Sequence, residues 1–282
     1  MPENDRQAAL EQYRAPLEVY EELLRSLDDQ DSYSNWVYRR DSPDASRYEG
    51  AIGEAVAFVF LRDRVDHVRL VAVEEGMSPP DIHCEVGGSQ FLVEVASRQT
   101  RTATRPTTAP AEPEAWESRY MSRNWVRQME DLVRKMSSQA KDQRLPRLIL
   151  VTVLQSDTTD RHCNPAHVEA VLCESIQADP DGGPAEGTSA HAGSPGGIER
   201  ALFARIGETI RPRYTSVSGF VQAGLGSYPS GGHVHGGLNP NAEHPFDPAL
   251  LGDVPFASFE DWPVAPGGSV SFKWSDPARP KA

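Results

Sequence analysis

A chain of 282 residues, 38% hydrophobic and 24% charged, can bury a sizeable core and falls in the ordinary range of globular proteins. It holds no run of about 18 apolar residues, which leaves no candidate for crossing a membrane, and the start MPENDRQAALEQYR lacks the basic head and apolar centre of a signal peptide, so a cytoplasmic location is expected. A net charge of −13 argues against indiscriminate binding of nucleic acid, and the scattered Cys84, Cys163 and Cys173 form neither a disulfide framework nor a zinc ribbon and read as buried free thiols.

In chain order, residues 8–28 place Leu10, Leu17, Tyr20, Leu23, Leu24 and Leu27 at three- and four-residue steps, which predicts a packing helix. Asp28 to Arg47 is polar and reads as a connection, with Asp44 or Ser46 placed to cap the next helix. That helix, Tyr48 to about Asp63, is apolar on nearly every side and must be buried. Glu49 near its start sits where the helix dipole favours an acid. Glu54 is in the middle, where a carboxylate needs an exposed stripe, an arginine partner or a chemical task.

Val68–Val73 has the β-branched composition of a strand. After it, residues 79–97 read as a hairpin whose Gly87-Gly88 turn supplies the two positive φ angles a two-residue turn requires. With that turn, paired residues have numbers summing to 175, which sets Asp81 opposite Glu94. Cβ atoms of directly opposed residues lie about 4.5–5.5 Å apart, so two carboxylates there repel unless a proton or cation sits between them. Ile82, Cys84, Val86, Phe91, Val93 and Val95 share one face of this hairpin, and Asp81, His83, Glu85, Gln90 and Glu94 the other.

Residues 100–114 read as a Thr- and Pro-rich loop, and Trp116 to Arg144 as a helix with Trp125, Met129, Leu132, Val133 and Met136 in its apolar stripe. Leu148–Leu154 is a strand apolar on both faces. Beyond it, residues 166–177 and 198–210 read as helices around a low-complexity insertion at 178–197, and 214–225 and 231–237 as strands. The remainder, with Asn239–Pro245 in it, reads as loop, and the tail from Ser275 as disordered. The order helix, three strands, helix, strand predicts an α/β fold with a mixed central sheet flanked by helices. The expected divisions are an N-terminal helical extension (1–47), a core (48–154), a β-rich C-terminal extension of the same domain (155–274) and a tail (275–282).

Charge is unevenly spread. Residues 1–97 carry 9 basic and 20 acidic side chains, residues 98–147 carry 11 and 6, and residues 156–282 carry 8 and 15. Only the segment after the carboxylate hairpin is basic, and with Trp116 and Trp125 it interleaves positive charge with aromatic surface, as nucleic-acid contacts do. Core packing explains the tryptophans equally well.

The order of elements, with Glu54 in Gly50-Ala51-Ile52-Gly53-Glu54, with Pro80-Asp81, and with Glu94-Val95-Ala96, resembles the PD-(D/E)XK superfamily of restriction-endonuclease-like nucleases over about residues 48–154. The resemblance implies that Asp81 and Glu94 coordinate Mg2+, or Mn2+ in its place, with Glu54 as a third acid, and that the reaction is hydrolysis of phosphodiester bonds in nucleic acid. DNA is expected over RNA, held by the basic segment 98–147. The family's lysine position is Ala96 here, which leaves Lys135, Lys141 or Arg98 to stand in for it. A nuclease fold that binds or scaffolds without catalysis is the alternative reading, and a homodimer is compatible with either. A more remote alternative, a zinc-dependent hydrolase, rests on His233 and His235 alternating along a strand with His244 soon after. His162-Cys163 near Asp160 reads as surface loop, since nothing nearby supplies an oxyanion site for a thiol nucleophile.

Overall fold

The pattern expected to form one helix over 8–28 forms two, because Pro16 has no N–H to offer the carbonyl of Gln12 and its ring crowds that carbonyl. In the computed structural model, which describes residues 3–27, 29–71, 81–98, 113–139, 144–154, 163, 165–173, 200–205, 209–225, 233–263 and 270–275, helix α1 (Glu3–Gln12) and helix α2 (Arg14–Ser26) meet at Tyr13. The polar stretch expected to connect is itself a helix, α3 (Gln30–Arg40). Asp29 caps it, its carboxylate accepting from the Ser32 N–H at 3.0 Å and the Ser32 hydroxyl at 2.6 Å. Trp36 anchors it, 1% exposed, with the indole N–H donating to the Ala51 carbonyl at 3.1 Å.

Helix α4 (Ala45–Arg62) starts at the expected Asp44 cap, which accepts from the N–H groups of Ser46 and Arg47. It buries Ala51, Ile52, Ala55 to Leu61 and packs against α2, α3 and the strands β1 (His67–Leu70) and β3 (Ser89–Arg98). Between those strands in sequence lies β2 (Ile82–Val86). Helix α5 (Pro113–Gln139) carries the expected stripe, with Trp125, Met129, Val133 and Met136 buried, and β4 (Arg147–Val153) is buried along its whole length. Helix α6 (Pro165–Cys173) follows.

The expected helix over 198–210 is instead a tight hairpin of β5 (Arg200–Ala201) and β6 (Ala204–Arg205), joined antiparallel to β7 (Arg211–Pro212). Tertiary bonding overrides local pattern here: Leu202 N–H donates to the Leu172 carbonyl, Arg213 N–H donates to the Phe203 carbonyl, and Leu202 and Phe203 are fully buried. The expected strands appear as β8 (Gly219–Gly224) and β9 (His233–Leu238), while the expected loop beyond them contains a 3-10 turn (Pro248–Leu251) and two further strands, β10 (Phe256–Phe259) and β11 (Phe272–Trp274). Ser275, where the tail was expected to begin, is tied back to Phe256 by two hydrogen bonds. The insertion at 178–197 and the tail beyond Ser275 lie outside the described residues.

The fold is mixed α/β, with sheet flanked by helices, and the chain forms two compact units. The first comprises residues 1–100, 148–163 and 221–234, the second 101–147, 164–220 and 235–282. In the first, strands run in the order β1-β2-β3-β4-β8, with β1-β2 and β2-β3 antiparallel. The N–H of Leu225, just past β8, donates to the carbonyl of Val153 at the end of β4, so these two strands run the same way. Tyr13 pins the N-terminal helices to the same place, its hydroxyl lying 2.9 Å from the Leu154 carbonyl and 3.1 Å from that of Leu225. In the second unit β9 pairs parallel with β10, and β10 antiparallel with β11. There α6 packs against α5 and β10, and the indole N–H of Trp274 donates to Glu169 at 2.9 Å.

Candidate functional site

The hairpin sets the geometry of the site. Gly87 and Gly88 hold φ of 55° and 81°, values that favour glycine and turn the chain in two residues. The register is the expected one, with Ile82 opposite Val93, Cys84 opposite Phe91 and Val86 opposite Ser89. One further step brings Asp81 opposite Glu94, at the mouth of the β2-β3 pair. Asp81 closes that end twice: its carbonyl accepts the N–H of Val71, and its carboxylate accepts the N–H of Val95 at 2.7 Å.

Glu94 is 8% exposed and Asp81 partly buried. Burial, the adjacent charge of Glu94 and the charge of Glu54 push the Asp81 carboxyl up to about 7, against the opposing pull of the Val95 N–H and of Arg39. At neutral pH Asp81 is therefore divided between its protonated and ionised forms.

Helix α4 is seated by Gly53. A Cβ there would stand 1.7 Å from the Ser97 hydroxyl oxygen on β3 and 2.5 Å from that of Thr152 on β4, two groups already hydrogen-bonded to each other at 2.9 Å. No side chain fits in that gap, so the glycine sets how closely helix and sheet approach. Gly50, by contrast, has open space around its would-be Cβ. The residue after Gly53 is Glu54, and its mid-helix carboxylate has found an arginine: Arg39 of α3 grips both oxygens, Nη1 to Oε1 at 3.0 Å and Nη2 to Oε2 at 2.7 Å.

Arg39 is the side chain at this site that sequence reasoning missed. It lies three residues after Trp36, on a helix that the Asp29-x-x-Ser32 cap could have revealed. The charged side chains that act on Asp81 are Glu94, Glu54 and Arg39. Ala96 is partly buried and brings no charge. Lys135 is exposed on α5, and the side chain of Arg98, with all of Lys141, lies outside the described residues. Within the basic segment, Arg127 is exposed, Arg134 is paired with Asp131, and Arg147 is 1% exposed with Nη1 donating to the Met136 carbonyl, which withdraws it from any nucleic-acid surface. Trp125 is core, and Trp116's side chain lies outside the described residues.

The histidines alternate along β9 as expected, and the ring of His235 meets that of Trp274 edge-on at 5.8 Å. His244 contributes its carbonyl to the Ser218 hydroxyl. Among the described residues no three His, Cys, Asp or Glu side chains converge as a metal cluster, the set of Asp81, Glu94 and Glu54 included. What the site offers a cation is the Asp81–Glu94 pair, two hard oxygen donors, with Glu54 occupied by Arg39. That donor set fits Mg2+ or Mn2+, which are held by one or two carboxylates with water and phosphate completing the shell. The three cysteines are buried thiols as expected, and burial raises the Cys84 thiol to about 12, so it is inert at neutral pH. Asp160 and His162 lie outside the described residues. No family model matches the sequence, and neither a curated protein nor a solved structure is significantly similar to it.

Proposed function

We propose that the chain is a divalent-cation-dependent nuclease, hydrolysing phosphodiester bonds of nucleic acid, DNA before RNA, at the Asp81–Glu94 pair. The observation that carries this reading is the opposition of two carboxylates at the mouth of a β-hairpin, one of them buried, a pair that a proton or a cation must offset. The neighbourhood supports it. The buried helix α4 brings Glu54 close enough for its charge to act on Asp81, and the order β1-β2-β3-β4 behind α4 is the order a restriction-endonuclease-like core would have.

In this reading Asp81 and Glu94 are the cation's protein ligands. When bound, the cation would polarise a phosphate and lower the pKa of a water. The protein's own residues do the rest. Val95 N–H fixes the orientation of the Asp81 carboxylate. Glu54 holds the guanidinium of Arg39 in one place, so a positive charge is present beside the pair despite the alanine at position 96. Burial of Glu94 strengthens the charge interactions there.

The test is cleavage of single- and double-stranded DNA and of RNA in Mg2+ or Mn2+, by the wild type and by Asp81→Ala. Wild-type cleavage that chelator stops and Asp81→Ala abolishes is the expected result. Equal cleavage by the variant refutes the assignment. Cation binding without cleavage of any of the three substrates favours a nuclease fold used for binding, which Ala96 would suit.

A further inference from the structure

Helices α2 and α3 bring to this site two hydrogen-bond donors that the carboxylate pair does not use. Tyr20 of α2 is 6% exposed, its ring wedged against Trp36 and Phe58 with centroids 5.5 Å away in each case. The Tyr20 hydroxyl makes no hydrogen bond among the described residues, yet it is not one of their buried unpartnered atoms, so it keeps access to solvent; the charges of Glu54, Asp81 and Arg39 act on it, which sets it beside the site. Arg39 has a donor to spare as well: both Nη atoms are on Glu54, while its Nε is buried with no partner.

Unfilled donors of this kind ask for an acceptor-rich anion. The Nε edge of a guanidinium, with the adjacent Nη hydrogen, matches two oxygens of one phosphate. A carboxylate or chloride would meet the same donors, but a tetrahedral oxyanion such as a phosphate has oxygens left over to face a cation on Asp81 and Glu94. We infer that Tyr20 and Arg39 form the phosphate-binding wall of the site, donating to non-bridging oxygens of the substrate, and that Glu54 is the positioning residue for Arg39. This inference rests on the nuclease reading for the identity of the substrate. It also changes the role of Glu54, from a third metal ligand to the anchor of a cation.

The test is calorimetric binding of thymidine 3′,5′-bisphosphate, a nucleic-acid fragment with no diester to cleave. It is run with and without saturating Mn2+ on the wild type, Tyr20→Phe and Arg39→Lys, with a separate Mn2+ titration of each. Both variants should bind the bisphosphate about 10-fold more weakly, as expected for loss of a hydrogen bond to a charged group, while Mn2+ affinity and the circular dichroism spectrum stay at wild-type values. Unchanged bisphosphate affinity in both variants, with Mn2+ binding intact, overturns the inference. A wild type that binds no Mn2+ defeats the nuclease reading separately, and the metal-free titration then decides: weaker binding by Tyr20→Phe supports an anion wall, and equal binding overturns it.

Discussion

Asp81→Asn should make the protein more stable at alkaline pH while removing the proposed metal ligand. The carboxyl titrates near 7 in the folded protein, against about 4 in an unfolded chain. The fold therefore holds its proton more tightly than the unfolded chain does. The resulting stabilisation is complete below about pH 4 and is lost as pH rises through 7. A displacement of that size corresponds to about 4 kcal/mol, which the partial exposure of Asp81 reduces to about 2 kcal/mol. Asparagine carries no such cost and keeps an oxygen to accept the Val95 N–H. The assay is urea unfolding in chelator at pH 4.5 and pH 8, with the variant as the internal reference for all other titrating groups. The wild type should lose about 2 kcal/mol more than Asp81→Asn between the two pH values. Parallel losses would refute the claim that Asp81 is destabilised by burial and by Glu94.

Other substitutions probe the supports of the site. Gly53→Ala pushes a methyl into the Ser97–Thr152 contact and should cost about 1–3 kcal/mol in urea unfolding; a midpoint equal to wild type would mean that α4 is not seated by this glycine. Glu54→Gln leaves Arg39 half-buried against a neutral amide, and a loss of about 1–2 kcal/mol is expected. Because the charge of Glu54 helps to raise Asp81, the same variant should lower the pH at which Asp81 titrates, readable by carboxyl NMR; an upward move would contradict the geometry. Gly88→Ala places a Cβ at φ 81° and should cost about 1 kcal/mol, with hydrogen exchange rising at the hairpin; unchanged exchange would argue against the turn.

The hairpin was fully legible in the sequence because a Gly-Gly turn between two alternating runs leaves one register that keeps Ile82, Cys84, Phe91 and Val93 on the same side. Helix α4 was equally plain, its composition admitting only burial and Asp44 being a strong cap. Helix α3 was hidden by its polarity: Trp36 alone carries its burial, and helices held by one aromatic and several ion pairs show no apolar stripe to read. With α3 hidden, so was Arg39, and the alternatives left open for Glu54 could not be narrowed to the ion pair. The β5-β6 hairpin failed for a different reason, since its turn bonds to the Leu172 carbonyl and the Arg213 N–H, partners that no local pattern announces. Strands β10 and β11 are short enough, four and three residues, that periodicity cannot distinguish them from loop.

The most direct measurement is a calorimetric titration of Mn2+ into the metal-free protein at pH 8, repeated with Asp81→Asn and with Glu94→Gln. One site in the wild type, weakened or absent in both variants, is the result expected if the opposed carboxylates hold the cation. No binding at millimolar Mn2+, or binding that neither substitution alters, would contradict it.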